Sequence, residues 1–200
     1  MNKAAKTPRR HRLGPINALV LIIGSALGLI ASLGLLQTEL DHLKDPLAAL
    51  DCDLNVLIGC GSSLMSPQAH LVGLPNSAIG VAAFSATLTL GILMLLRVEM
   101  PPIVGVLAGV GALGGLAFVG YFLYLSASAF HSLCPYCLAV WSATLILASV
   151  LIPFALASMP ASKDFGKSMQ RHTWAGMISL HLLVVIIILF AMSDQIGTLF

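Results

Sequence analysis

The sequence predicts an all-α integral membrane protein with five transmembrane helices. Three observations carry this reading. Hydrophobic residues make up 58% of the 200-residue chain against 9% charged residues, and the mean hydropathy is +0.97, so there is too little polar surface for a water-soluble fold. Five windows, 16–36, 77–96, 103–125, 135–157 and 174–192, stay apolar over the roughly 20 residues that a helix needs to cross a hydrocarbon core of about 30 Å. The charges are segregated: Lys and Arg cluster in residues 3–12 and 163–171, while acids gather in residues 39–53. With a net charge of only +2, this pattern is a topology signal and not a nucleic-acid surface.

The first window is longer than the apolar region of a typical signal peptide and has no convincing small-x-small cleavage site after it, so it reads as a retained span. An odd number of spans separates the termini. A cytoplasmic N-terminus puts Lys3, Lys6, Arg9, Arg10, Arg12, Arg97, Lys163, Lys167 and Arg171 inside and leaves Lys44 outside, as the positive-inside rule requires. The expected organisation is one membrane domain over residues 1–200. It has a basic cytoplasmic tail (1–15), an extracytoplasmic loop (37–75) and a short extracytoplasmic tail (193–200). The connection 97–102 reads as a tight cytoplasmic turn and 161–171 as a polar loop, so the material for chemistry lies on the outer face. All four cysteines fall there.

Gly24 and Gly28, Gly105 and Gly109, and Gly111 and Gly115 recur at four-residue spacing, which lets helices approach closely in lipid. The spans carry no Asp, Glu, Lys or Arg at central depth, which argues against an ion channel or proton-coupled transporter. His181, in the last span, reads as a hydrogen-bonded helix-interface residue.

Cys134, Pro135, Tyr136 and Cys137 open the fourth span. Two thiols three residues apart share a helical face and can reach disulfide distance. Pro135 suits the first helical position. A thiol at a helix N-terminus is pushed toward thiolate by the macrodipole and the unpaired amides, and His131, when protonated, adds to this. Cys52 and Cys60 occupy the outer loop with seven residues between them. Buried small hydrophobes, a zinc site with His131 nearby, or static structural disulfides are the plainer readings. An oxidising compartment and two dithiol pairs on one face instead favour thiol–disulfide exchange. Asp51 and Asp53 are expected to solvate the loop, with docking of a partner as the alternative.

Cys52-Asp53 followed by Cys60, then 62–67 (Ser-Ser-Leu-Met-Ser-Pro), 73–76 (Gly-Leu-Pro-Asn), Gly80, and later the pair Cys134/Cys137, resemble the vitamin K epoxide reductase family in its bacterial form. The resemblance runs from the first span through the fourth and on toward the fifth. Its specific part is the order, loop cysteines first and CxxC second; the functionally analogous disulfide bond protein B family carries its CxxC earlier.

The resemblance implies a quinone-dependent thiol oxidoreductase of the bacterial inner (plasma) membrane, with four helices bundled around a quinone site. A separate extracytoplasmic thioredoxin-fold thiol oxidase would deliver electrons to Cys52/Cys60, Cys60 would pass them to Cys134, and Cys137 would meet a quinone, menaquinone or ubiquinone. The partner is expected to be separate because some bacterial relatives continue into a thioredoxin-like domain, whereas this sequence ends at Phe200. A half-helix over about 63–72 would cover the pocket, and Asn76 would donate to a quinone carbonyl; Asn76 also reads as an N-cap of the second span. Two departures stand out. Gly61 occupies the place where many members have serine, leaving Ser62 or Ser63 to supply a hydroxyl. Trp141 stands where many have tyrosine; its indole N–H can donate to and stack on a quinone, or anchor the helix at the membrane interface. The alternative is a non-enzymatic metal-binding or structural membrane protein using the four cysteines.

Overall fold

The computed structural model describes residues 13–46, 50, 52–53, 58–71 and 73–193. Most of the expected basic tail and nearly all of the C-terminal tail lie outside these residues, as does Asp51. Five of its helices are long and apolar enough to cross a membrane. The first, α1 (Pro15–Lys44), starts with proline at its first position and runs 30 residues, or about 45 Å. The apolar window ends at Leu36, but the helix does not. Residues 37–44 are mostly good helix formers, so two further turns project beyond the span as helix where the sequence predicted loop.

The remaining spans are α3 (Asn76–Leu95), α4 (Pro102–Leu125, extended by a π-helical turn over Ser126–Phe130), α5 (Pro135–Ser158) and α7 (Thr173–Ala191). α5 is the axis of the bundle. It packs on α1, α4 and α7, while α1 also packs on α3, and Leu147, Ala148, Val150, Leu151 and Phe154 bury its face against Leu21 of α1 and Phe84 of α3. α7 is peripheral, with no buried residue in its apolar window. Ile23, Ile30, Leu107, Val110, Leu189 and Phe190 point outward, as expected where the solvent is lipid.

Glycine allows the closest helix contacts. A Cβ on Gly28 would collide with the Phe84 ring and one on Gly109 with Ala155, while one on Gly24 would lie 2.8 Å from the Ile146 side chain. Gly111 meets no neighbour and instead borders a cavity, so that glycine pair serves an opening as well as a contact. Between α1 and α3, the Ser25 hydroxyl donates to Thr87 Oγ1 at 2.9 Å, a polar tie within the apolar bundle. His181 spends its Nδ1–H on the carbonyl of Met177, one turn back, at 2.8 Å.

Residues Lys163–Arg171 form a helix, α6, where the sequence predicted a polar loop. Its Gly166 lies directly on the α5 backbone at Ala157, a contact that any side chain would prevent. Gln170 donates from Nε2 to the carbonyl of Pro153, inside α5, at 3.3 Å, and its own carbonyl accepts from Asn17 Nδ2 of α1 at 3.0 Å. These bonds tie three helices at the end of the bundle away from the cysteines.

At the cysteine end, the expected half-helix is broken in two. A single turn, α2 (Gly61–Leu64), is followed by a 3-10 turn over Pro67–His70. Ser66 is extended, at φ −80° and ψ 148°, because a residue preceding proline is sterically driven out of the helical region. Gly73 then turns the chain into α3 at φ +77°, a left-handed conformation natural to glycine.

Candidate active site

A short backbone contact joins segments more than 70 residues apart. Ile58 pairs in parallel with Leu133, and the Gly59 N–H donates to the Leu133 carbonyl at 3.1 Å. Just beyond this bridge, Cys60 and Cys134 meet with their Sγ atoms 3.0 Å apart. Cys60 is bonded to Cys52, whereas Cys134 and Cys137 are free thiols. Cys60 is fully buried and Cys134 is 4% exposed, enclosed with Cys52 by Leu35, Leu50 and Tyr136. A thiol beside a disulfide sulfur in a water-poor pocket is arranged for exchange.

Asp53 shapes the loop side of this junction. Its Oδ1 accepts the Cys60 N–H at 2.7 Å and the Gly61 N–H at 3.2 Å, satisfying amides at the start of α2. A Cβ on Gly59 would lie 2.6 Å from the same oxygen, so the small residues flanking Cys60 make room for the carboxylate. Asp53 is therefore a structural clamp rather than the purely solvating residue expected from sequence.

Cys134 is the N-cap of α5, with an extended backbone and Pro135 next in the helix; its sulfur accepts the Cys137 N–H at 3.5 Å. The Cys134 thiol is held below the ordinary cysteine range. The hydrogen bond from the Cys137 side chain is the main cause, joined by the backbone amides of Cys137 and Tyr136, while burial and the nearby Asp53 charge oppose them. Hydrogen bonds to sulfur favour the charged form. His131 is exposed and left-handed, φ +50°, as it closes the π-helical turn.

Cys137 opens onto a cavity of about 310 Å³ bordered by α1, α2, the 3-10 turn, α3, α4 and α5, within the range of small-molecule sites. Its wall is largely apolar, with Leu35, Phe84, Phe118, Phe122, Val140 and Trp141, and contains a few polar groups at the cysteine end. This composition suits a flat, largely apolar head group with carbonyl oxygens. α3 and α4 both border the cavity without an extended contact between them.

Asn76 and Trp141 both line this cavity. Asn76 is the first residue of α3 and Pro75 is its cap, so the N-cap expectation shifts by one residue. The Asn76 amide reaches back to the 3-10 segment instead, donating from Nδ2 to the Gln68 carbonyl at 2.7 Å and accepting the Leu71 N–H at 3.4 Å. Trp141 is 3% exposed and packs with Val119, Phe122 and Leu123, so it is not a lipid-facing anchor. Ser62 lies off the cavity, its hydroxyl 2.6 Å from that of Ser132, whereas Ser63 lines it and donates to the Cys60 carbonyl at 2.9 Å.

One ionisable residue in the site was not singled out from the sequence. Glu39, on the projecting turns of α1, is 6% exposed and lines the cavity. Its Oε2 accepts from the Ser77 hydroxyl at 2.9 Å, and its Oε1 lies 2.9 Å from His70 Nε2. The available signal was spacing: Ser32, Leu35 and Glu39 fall three and four residues apart, on one helical face, and all three border the cavity.

A helical membrane bundle with a disulfide and a dithiol in contact beside an apolar cavity defines a membrane thiol–disulfide protein with a small-molecule site. Residues 19–152 match the Vitamin K epoxide reductase family, and over that extent the chain belongs to it. The match holds all four cysteines, Glu39, Asn76 and Trp141, and ends within α5, leaving α7 beyond it. No curated protein matches the chain significantly. Members of this family are membrane thiol:quinone oxidoreductases, and the chain is accordingly a quinone-linked thiol oxidoreductase.

Proposed function

We propose that the chain reoxidises a separate, exported thioredoxin-fold protein, passing electrons from Cys52/Cys60 to Cys134/Cys137 and then to a menaquinone or ubiquinone in the cavity. The observation that carries this reading is the 3.0 Å approach of Cys60 Sγ to Cys134 Sγ. In the proposed cycle the partner's dithiol reduces the Cys52–Cys60 disulfide and leaves as a disulfide. Cys60 thiolate then attacks Cys134 of the Cys134–Cys137 disulfide and displaces Cys137. Cys52 next attacks Cys60, restoring the loop disulfide and releasing Cys134. The arrangement described above, loop disulfide closed and Cys134/Cys137 reduced, corresponds to the stage at which the electron pair awaits the quinone. A strongly oxidising partner, near about −120 mV, can be recharged only by a sink of higher potential, and a membrane quinone is such a sink.

Residues Asn76, Trp141 and Ser63 are the groups proposed to orient the quinone, with Ser62 supporting the junction through Ser132. The Asn76 amide has a second hydrogen beyond its bond to Gln68, which suits donation to a carbonyl. The protein is proposed to be a single multi-pass domain of a bacterial plasma membrane. Its N-terminus would be cytoplasmic and its cysteines and C-terminus extracytoplasmic, a reading supported by the distribution of Lys and Arg along the sequence.

The test is a pair of substitutions. Cys137→Ser abolishes quinone reduction, while Cys52→Ser blocks oxidation of the protein partner and leaves turnover of small dithiols largely intact. Equal rates in wild type and both variants would contradict the relay.

A further inference from the structure

Among the described residues, the wall of the cavity holds two ionisable side chains, Cys137 and Glu39. Cys137 belongs to the redox pair; Glu39 has no role in the relay. A carboxylate buried to this degree is costly unless it is partnered, and its position at the edge of an otherwise apolar cavity calls for an explanation. One oxygen is held by Ser77. The other, Oε1, has no directed hydrogen bond, although His70 Nε2 stands 2.9 Å away. The His70 side chain is 45% exposed, so His70 touches solvent at one side and the buried carboxyl at the other.

We propose that Glu39 delivers a proton to the quinone bound in this cavity and that His70 refills Glu39 from the aqueous side. This rests on the quinone-linked thiol oxidation proposed above. Conversion of a quinone to a quinol takes up two electrons and two protons. Oxidation of Cys134 and Cys137 to a disulfide yields the two electrons. It yields both protons only if both sulfurs begin as thiols. Cys134 does not line the cavity, and the hydrogen bonds to its sulfur favour the thiolate over the thiol, so of the pair only Cys137 offers a proton there. The second proton must come from another group that reaches the cavity, and Glu39 is that group among the described residues. Once it has given up its proton, the Glu39 carboxylate takes one from protonated His70, which recovers it from water.

The groups around Glu39 leave this route uncluttered. On α1, His42 stands one turn further on with Nδ1 buried and without a hydrogen-bond partner, and Asp41 pairs with Lys44 at the surface. From α3 the neighbour is Ser77, which is not ionisable in this range, and from α5 Cys137 lines the same cavity. His70 comes from the 3-10 turn, so the same short segment that Asn76 holds in place also carries the proton relay.

The experiment compares full-length wild type with Glu39→Gln, which keeps the size of the side chain and its bond to Ser77, and with His70→Ala. Reduction of the loop disulfide by dithiothreitol should be unchanged in both variants. Oxidation of the reduced protein by a soluble naphthoquinone should slow about 100-fold or more in Glu39→Gln, the scale of a lost general acid. The pH profile of this step should lose one ionisation. In His70→Ala the same step should slow and be restored by added imidazole. Independently of turnover, infrared titration of the quinone-free protein should show a carboxyl band that is absent in Glu39→Gln and displaced in His70→Ala. A quinone step at wild-type rate in Glu39→Gln would overturn the proton route alone. A wild-type protein that reduces no quinone would overturn the relay and the route together.

Discussion

Cys60 and Cys134 are 74 residues apart in sequence, and their sulfurs lie 3.0 Å apart in the fold. The contact depends on a single bridge between Ile58 and Leu133, a carboxylate clamp from Asp53 on one side and the N-cap geometry of α5 on the other. None of these is a large energetic contribution, so each is open to perturbation without loss of the bundle.

Asp53 is the first place to test this. Asp53→Ala removes two hydrogen bonds from backbone amides to a charged acceptor. Because the residue is solvent-exposed, the net loss should be about 1 kcal/mol. The expected outcome is an approximately fivefold slower exchange between the two cysteine pairs, read by stopped-flow after a pulse of dithiothreitol. The thermal unfolding of the helices should be nearly unchanged. A rate equal to wild type would show that the loop holds its register without the clamp.

The state of Cys134 gives a pH prediction. Its folded pKa lies below that of an ordinary thiol, so in the reduced protein the thiolate is present at lower pH than for a free cysteine and disappears only as pH falls through the depressed value. Ultraviolet thiolate absorbance of a Cys52→Ser/Cys60→Ser variant should therefore persist below about pH 8.5, the midpoint for an unperturbed cysteine. Cys137→Ala in that background removes the largest stabilising bond and should move the transition upward. An unchanged midpoint would mean that the helix-start amides alone set it.

Asn76 has two separable jobs. Asn76→Ala breaks its bonds to Gln68 and Leu71 and should loosen the 3-10 segment, seen as faster amide exchange over Pro67–His70. If Asn76 also donates to the quinone, KM for quinone should rise about tenfold, the equivalent of about 1.4 kcal/mol, with dithiothreitol reduction of the loop disulfide unaffected. Faster exchange with an unchanged KM would assign Asn76 to the cap alone.

The spans and the start of α5 at Pro135 were legible in the sequence, because apolar length and a proline following a capping residue are local signals. The long α1 was not. Its last two turns are polar, and a search for lipid-compatible windows stops at Leu36 although helix propensity continues. The broken half-helix was readable in principle from Ser66-Pro67, since a residue before proline avoids helix. Asp53 and Glu39 were harder. An acid in a polar stretch looks solvated, and only the fold brings Asp53 onto the Cys60 amide or turns Glu39 toward Ser77 and the cavity. The amphipathic helix α6 was hidden by its charges, its close approach to α5 requiring a glycine at 166.

The most direct test of the relay isolates its junction. In Cys52→Ser/Cys137→Ser, only Cys60 and Cys134 remain, and treatment with excess oxidised glutathione can either join them or cap each separately. Non-reducing peptide mass spectrometry should find the Cys60–Cys134 disulfide in nearly stoichiometric yield, with two reduced glutathiones released per protein. Two separately glutathionylated cysteines in a folded protein would contradict the account.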